Sequence, residues 1–297
     1  MPEGLIIKGI GGFYYIKNED TVYECIAKGR FRVHGVTPMV GDRVMIELQK
    51  EGYASIKEIF KRKNSIIRPP ISNVDNLFVV VSPIPAPSLI NIDKVLALAE
   101  SRDIDAYIVI NKTDIDTDEA ESSIEELSRI YEKAGYRVLK TSAILDEGTE
   151  AVRSMLNGAV SAFCGNSGVG KSSLLRRILN NTQIEVGEIS EKTKRGRHTT
   201  RHVELFAVGE NGYIADTPGF GMLEIEDDNF IYKDDLKYAF REFAPYIQKC
   251  KFKDCSHTKE KDCALKDAVQ ANEIEISRYR SYLAIYDRVK EIKEWER

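Results

Sequence analysis

From residue 71 onward the chain alternates two hydrophobic periods. NLFVVVSP (76–83) is an unbroken apolar run of the kind a strand covered on both faces requires, and INIDKVLALAESR (90–102) follows with helical spacing. DAYIVINKTD (105–114) reads as a strand that ends in polar residues, and DEAESSIEELSRIYEKAG (118–135) as an amphipathic helix stopped by Gly135. The rhythm continues through YRVLKTSA, EGTEAVRSML, AVSAFCG and KSSLLRRIL, then closes with the strands HVELFAV and GYIADTPG. Strands alternating with helices predict an α/β domain with a mainly parallel sheet, whose ligands gather at the carboxyl ends of the strands.

The first seventy residues read differently. GLIIKGIGGFYYIK, TVYECIAKGRFRV, GDRVMIEL and YASIKEIF are short β-rich runs broken by Gly, Asp and charged turns, and Gly11-Gly12 inside the first suggests a bulge or sharp bend. A five-stranded OB-type β-barrel fits this length, and an SH3-like barrel fits nearly as well. RPP at 68–70 suggests a linker. Beyond about 223 the chain turns acidic, then helical and cysteine-rich, and Ile276, Tyr279, Leu283, Tyr286 and Val289 form a stripe that predicts a helix packed on its own domain. The expected division is a barrel at 1–70, an α/β P-loop domain at 71–222 and a helical segment at 223–297.

Composition changes this picture little. With 42% hydrophobic and 30% charged residues the chain can build real cores, and no apolar run reaches the length of a membrane span. The start MPEGLIIKGIGG has no signal-peptide pattern, so a cytoplasmic, monomeric protein without membrane contact is expected. Charge is uneven. Residues 1–72 hold 12 Lys and Arg against 8 Asp and Glu, leaving 31 against 39 for the rest, which permits nucleic-acid contact by the barrel. Cys25 and Cys164 stand alone in strand-like contexts, as buried small hydrophobes do.

The polar stretches after the strands carry the chemistry. GNSGVGKS (165–172) matches the phosphate-binding loop without a mismatch. Gly165, Asn166, Ser167, Gly168, Val169 and Gly170 would turn backbone N–H groups inward around phosphates, Lys171 would reach the outer phosphates, and Ser172 would ligate magnesium at a helix start that continues with Ser173. In NKTD, Asp114 can accept from guanine N1–H and its exocyclic amine, Asn111 would hold base and neighbouring loops, and the Lys112 stem would cover one face of the ring. Thr141, Ser142 and Ala143 form TSA, which can offer a backbone N–H to the guanine carbonyl. In DTPG, Asp216 can hold magnesium through a water and the Gly219 N–H can meet a γ-phosphate. Between P-loop and DTPG lies EKTKRGRHTTRH, where Thr199 or Thr200 is a second magnesium ligand, with Thr200 favoured. GTP or GDP with magnesium is the ligand these motifs describe. A P-loop ATPase or small-molecule kinase would leave NKTD, TSA and DTPG unexplained.

The order is NKTD, TSA, P-loop, switch threonines, DTPG, whereas GTPases of ordinary connectivity carry the phosphate motifs first. Cutting that order in the middle and joining the old ends gives this one, and loops that meet at one sheet edge tolerate such permutation. On this order, together with GNSGVGKSSL, GRHTT, DTPGF and a cysteine cluster, the chain resembles the circularly permuted GTPase family known as RsgA or YjeQ over nearly its whole length. The resemblance implies an OB-like barrel, a permuted GTPase domain and a C-terminal zinc-binding helical domain. It also implies a role in late assembly of the bacterial small ribosomal subunit, contact with its rRNA, and stimulation by that particle.

Cys250-x4-Cys255-x-His257-x5-Cys263 offers three thiolates and an imidazole, the donor set of a closed structural zinc site, and the family's zinc ligands match these four positions. The residue after DTPG, where many GTPases place a water-orienting Gln, is Phe220, so intrinsic hydrolysis should be slow. His198 is the candidate to complete catalysis, a role the resemblance supports. Contact with RNA or phosphate is the competing role for that histidine. An RNA-binding adaptor holding GTP as a structural ligand is the competing function, and His34 and His202 read as ordinary strand residues.

Overall fold

The computed structural model describes residues 1–28, 31, 35–48, 54–179, 203–216 and 231–292. The chain divides into two compact units, one made of Met1–Asn76, Arg153–Phe163 and Ile178–Phe220, the other of Leu77–Val152, Cys164–Arg177 and Gly221–Arg297.

In the first unit, β1 (Glu3–Ile10), β2 (Phe13–Asn18), β3 (Thr21–Ala27), β4 (Arg43–Leu48) and β5 (Ala54–Ile59) pair in the order β1-β2-β3-β5-β4, and β4 returns to β1. The β3–β5 pair is parallel and the other pairs are antiparallel. A closed five-stranded barrel with this order is of the OB type, which decides between the two barrels the sequence allowed. Ile6, Ile16, Cys25, Val44, Ile46 and Ile56 fill it.

Two expectations are corrected in this unit. Gly11 and Gly12, with φ of +61° and +89°, are the turn of the β1–β2 hairpin and not a bulge within one strand. Consecutive positive φ values suit the right-handed twist of a tight hairpin, and glycine adopts them without steric cost. RPP is likewise no free linker. It turns the hairpin between β6 (Ser65–Ile66) and β7 (Ile71–Ser72), whose Ile66 and Ile71 are fully buried. Asp42 anchors that hairpin to the barrel: fully buried, it accepts from Met39 N–H (2.8 Å), Arg62 Nε (2.7 Å) and the Ser72 hydroxyl (2.7 Å). The unit also holds β11 (Val160–Cys164), β12 (Glu204–Val208) and β13 (Gly212–Asp216). Within it β13 runs parallel to β11 and antiparallel to β12.

The second unit contains β8 (Asn76–Val81), β9 (Asp105–Asn111) and β10 (Arg137–Thr141) side by side, with β9 and β10 parallel. Every residue of β8 is buried, as its unbroken apolar run requires. Helix α1 (Leu89–Ser101) buries Ile92, Val95, Leu96 and Leu98, at about 1.5–3 kcal/mol per fully buried side chain. Helix α2 (Asp118–Lys133) starts at Thr117, whose hydroxyl accepts from Ala120 N–H at 3.2 Å, and carries three acidic residues in its first turn. Short α3 (Thr149–Ser154) follows β10, and α4 (Lys171–Leu179) follows the P-loop.

The C-terminal helices α5 (Lys233–Leu236), α6 (Ala244–Ile247), α7 (Ala264–Gln270) and α8 (Ile276–Val289) share a core around Phe240, Phe243 and Tyr282. The stripe expected on α8 is displaced by about one residue. Arg278, Ser281, Tyr282, Ile285 and Val289 are buried, Tyr279, Leu283 and Tyr286 flank them half-buried, and Ile276 is 47% exposed. Arg278 accounts for the shift. Its Nη1 meets Asp93 of α1 at 2.6 Å and its Nε meets Glu242 at 2.7 Å, while its guanidinium lies 4.7 Å from the Phe240 ring centre. Burial works against its charge, but the two carboxylates outweigh it and raise its pKa well above the ordinary value.

Candidate functional site

Four of the sequence motifs end described strands or open a described helix. β11 delivers Gly165 so close to the end of β8 that a Cβ there would lie 2.1 Å from the Val80 carbonyl oxygen, so only glycine fits. The loop then turns through Asn166, Ser167 and Gly168, all exposed, and buried Val169 before α4 begins at Lys171. Gly170 has φ of +92°, and a Cβ on it would lie 2.4 Å from Asn111 Nδ2. That amide nitrogen donates to Val169 O at 2.9 Å. NKTD and the P-loop are thus joined directly, although NKTD comes first in the sequence.

Lys171 Nζ donates to Gly165 O (2.5 Å) and Asn166 O (2.8 Å), and burial lowers its pKa. Phosphate oxygens arriving there would bring the negative charge that holds its proton. Ser172 and Ser173 are exposed in the first turn of α4, beside the positive end of the helix dipole.

The NKTD and TSA loops are tied to one another. Asn111 Oδ1 accepts from the Thr141 hydroxyl (3.2 Å) and from Ala143 N–H (3.3 Å). The Ser142 hydroxyl donates to Asp114 Oδ1 at 2.6 Å and accepts from Leu145 N–H at 3.1 Å. One Asp114 oxygen is therefore held in place by a neutral donor. Lys112 has φ of +66°, a left-handed backbone that costs a lysine on the order of 1 kcal/mol and aims its stem past Gly170, 3.7 Å from where a Cβ would sit. Sequence reading missed Arg177 of α4, whose Nε donates to Ala143 O at 3.1 Å. No local signal marks it, because RR in an amphipathic helix reads as a solvated face.

His198, Thr199, Thr200, Gly219 and Phe220 lie outside the described residues, as do His34 and His202. Asp216 ends β13, and its side chain also lies outside them.

The metal-type cluster is complete. One donor atom from each of Cys250, Cys255, His257 and Cys263 lies within 4.8 Å of all the others. The resolved edges are 3.9 Å for Cys250 Sγ–Cys263 Sγ, 3.5 Å for Cys250 Sγ–His257 Nδ1 and 3.4 Å for His257 Nδ1–Cys263 Sγ. Tetrahedral zinc with ordinary bond lengths requires edges of about 3.8 Å between sulfurs and about 3.5 Å from sulfur to nitrogen. The donors therefore fit zinc in chemistry and spacing. Burial pushes the Cys255 thiol up to about 12 and raises Cys263, so the cation's charge is what would make thiolates of them.

Glu260, also missed, organises the loop between the ligands. It accepts from Ser256 N–H (2.7 Å), the Ser256 hydroxyl (2.8 Å) and Thr258 N–H (2.9 Å). Burial opposes its charge, but these donors outweigh burial and hold the carboxyl down at about 2. Tyr279 and Tyr282 of α8 donate to the carbonyls of His257 (2.8 Å) and Ser256 (2.6 Å).

Known proteins resemble this chain along its whole length. Residues 3–56 match the family model of the RsgA N-terminal domain, and residues 59–226 that of the RsgA GTPase. A small ribosomal subunit biogenesis GTPase RsgA of Caldanaerobacter subterraneus subsp. tengcongensis is 43% identical over 97% of this chain and 96% of its own. One from a Geobacillus species is 42% identical over 99% of both chains. Among solved structures, YjeQ from Thermotoga maritima superposes with a TM-score of 0.83 at 33% identity, covering 98% of this chain and 99% of its own. YloQ, described as a circularly permuted GTPase, gives 0.79 at 35% identity over 99% and 96%. The two family models follow the same order as the barrel and the permuted motifs, and the chain belongs to the RsgA GTPase family.

Proposed function

We propose that this guanine-nucleotide-binding GTPase couples hydrolysis to late maturation of the small ribosomal subunit. We propose further that it binds that particle's rRNA and is stimulated by it. The observation that carries the nucleotide half of this reading is the bond from Asn111 to Val169, which puts NKTD against the P-loop. Asp114 reads the guanine N1–H and amine, Ala143 N–H meets the 6-oxo group, and Lys171 with the N–H groups of residues 165–173 holds the phosphates. Magnesium, when bound with the nucleotide, neutralises charge on its outer phosphates; Ser172, Thr200 (or Thr199) and Asp216 are the oxygen donors that would hold it. Phe220 has no group to orient water, so His198 is our choice to complete the site, with RNA contact as its competing role. Cys250, Cys255, His257 and Cys263 hold one structural zinc, since four protein ligands leave no open position for catalysis.

The division into a barrel at 1–70, a GTPase domain at 71–222 and a zinc-binding segment at 223–297 is our assignment of labour among these parts. Within the first unit, a cavity of about 580 Å³ is lined by Arg43, Phe60, Lys61, Lys63 and Tyr213, a cationic and aromatic mixture suited to an RNA strand. Among the basic residues of this unit, Arg62 is already committed to buried Asp42, Lys63 pairs with Asp75 at 3.2 Å, and Arg30 and Arg32 lie outside the described residues. The described residues contain no helix long and apolar enough to cross a membrane. We place the protein's action in the cytoplasm, as a monomer, where small subunits mature.

The test is turnover of GTP and of ATP with and without purified small subunits. Strong, GTP-selective stimulation is expected. Tight GTP binding without stimulation would instead identify an adaptor that holds GTP as a structural ligand.

A further inference from the structure

The loop from Ser142 to Gly148 carries the amide assigned to the guanine 6-oxo group, yet much of it faces solvent. Ile144 is 71% and Leu145 57% exposed. Its own bonds are local: Ser142 N–H and Glu147 N–H exchange with each other's carbonyls at 3.0 and 3.1 Å, and the Thr149 hydroxyl donates to Asp146. Such bonds shape the loop but do not fix where it sits. Asn111 reaches Ala143 N–H only at 3.3 Å, the long end for such a bond.

The Ser142 hydroxyl fixes the start of the loop to Asp114 at 2.6 Å, and the tether at Ala143 and Ile144 comes from the helix that opens at the P-loop. Arg177 Nε donates to Ala143 O at 3.1 Å, its Nη2 donates to Ile144 O at 3.1 Å, and its guanidinium lies 3.8 Å from Asp146. Two donors of one rigid, planar fork thereby hold two successive peptide carbonyls. Fixing the carbonyl of Ala143 restrains the direction of its N–H. Because α4 starts at Lys171, the same helix that positions the phosphate loop also sets the height of the base-reading loop.

We propose that Arg177 is a positioning residue for guanine specificity, acting through Ala143 on the 6-oxo contact and not on the Asp114 contacts. The proposal rests on the assignment of Ala143 made above, and the experiment separates the two. Equilibrium affinities of the full chain are measured for GDP, 6-thio-GDP and IDP. The first analogue weakens the 6-position acceptor but keeps N1–H and the amine; the second keeps the 6-oxo group and loses the amine.

The wild type should prefer GDP over each analogue by about tenfold. In Arg177→Met, GDP affinity should fall about tenfold and the preference over 6-thio-GDP should vanish, while the preference over IDP persists. Arg177→Lys, which keeps the charge and packing but offers a single point donor, should recover part of the 6-thio discrimination and guards against a folding defect in Arg177→Met. A wild type indifferent to 6-thio substitution overturns the Ala143 assignment itself. A wild type that discriminates, with Arg177 variants that keep both preferences or lose both in parallel, overturns the role given to Arg177.

Discussion

The NKTD, TSA and P-loop segments and the cysteine loop belong to the same unit and are built in opposite ways. Each nucleotide loop begins where a buried strand ends, and hydrogen bonds such as Asn111 to Val169 and Ser142 to Asp114 already tie the loops together. The segment 250–263 leaves no strand behind it; its four donors converge within 4.8 Å, and burial raises the pKa of Cys255 and Cys263. One site is organised by the fold and then accepts a ligand. The other crowds four donors together, two of them thiols that burial keeps protonated, and a bound cation would be what holds them there. Local order should therefore depend on metal in the second region and little on nucleotide in the first, although any bound nucleotide still stabilises the folded chain by mass action.

The largest expected effect breaks the metal side. Cys263→Ser, or stripping zinc with a strong chelator, removes a term of order 10 kcal/mol from the cysteine loop. Amide exchange should rise sharply across 250–263 while GDP affinity changes less than about threefold. An equal collapse of GDP affinity would show that the two regions are not organised separately.

Next comes the ion cluster that fastens α8 to α1. Arg278→Met keeps volume but leaves the Asp93 and Glu242 carboxylates unpaired, and should cost about 3–5 kcal/mol in denaturant unfolding. Replacing all three with apolar residues should recover most of that loss. Failure to recover it would mean that the guanidinium's ring contacts, and not the ion pairs, hold α8.

On the nucleotide side, Asp114→Asn should weaken GDP by about a hundredfold and move preference toward xanthosine nucleotides, with the melting temperature of the ligand-free protein nearly unchanged. Unchanged guanosine preference would sink the base-reading assignment. His198→Ala should lower subunit-stimulated turnover roughly a hundredfold with nucleotide affinity intact. Stimulated turnover that survives would assign that histidine to RNA.

The smallest effect concerns acid. Glu260 titrates near 2 in the folded protein against an ordinary 4.5, so its contribution is complete above about 4.5 and is lost as pH falls toward 2. Glu260→Gln should be less stable than wild type by about 1 kcal/mol at neutral pH, and the difference should shrink below pH 4.5. A difference that is flat with pH would deny the carboxylate its part in the loop.

What was legible in the sequence follows the range over which each signal acts. Strand runs, P-loop, NKTD and the cysteine spacing are contiguous, and each stands where its pattern placed it. Gly11-Gly12 leaves bulge and sharp bend open because both use the same residues, and RPP reads as a linker because prolines mark linkers and turns alike; only the pairing of β1 with β2 and of β6 with β7 shows two hairpin turns. The stripe on α8 packs on its own domain except at Ile276, and the buried face extends beyond it to Arg278, which no periodicity marks as inward because its carboxylate partners lie 185 and 36 residues away. Arg177 was invisible for a similar reason, since backbone carbonyls have no sequence identity.

The contact between Gly170 and Asn111 also constrains how this protein can change over time. A side chain at 170 needs space that the carboxamide at 111 occupies, and a shorter residue at 111 forfeits the bond to Val169. A change at either position is therefore felt at the other. NKTD and the P-loop, whose order along the chain is rearranged, thus meet at one point where each limits the shape of the other.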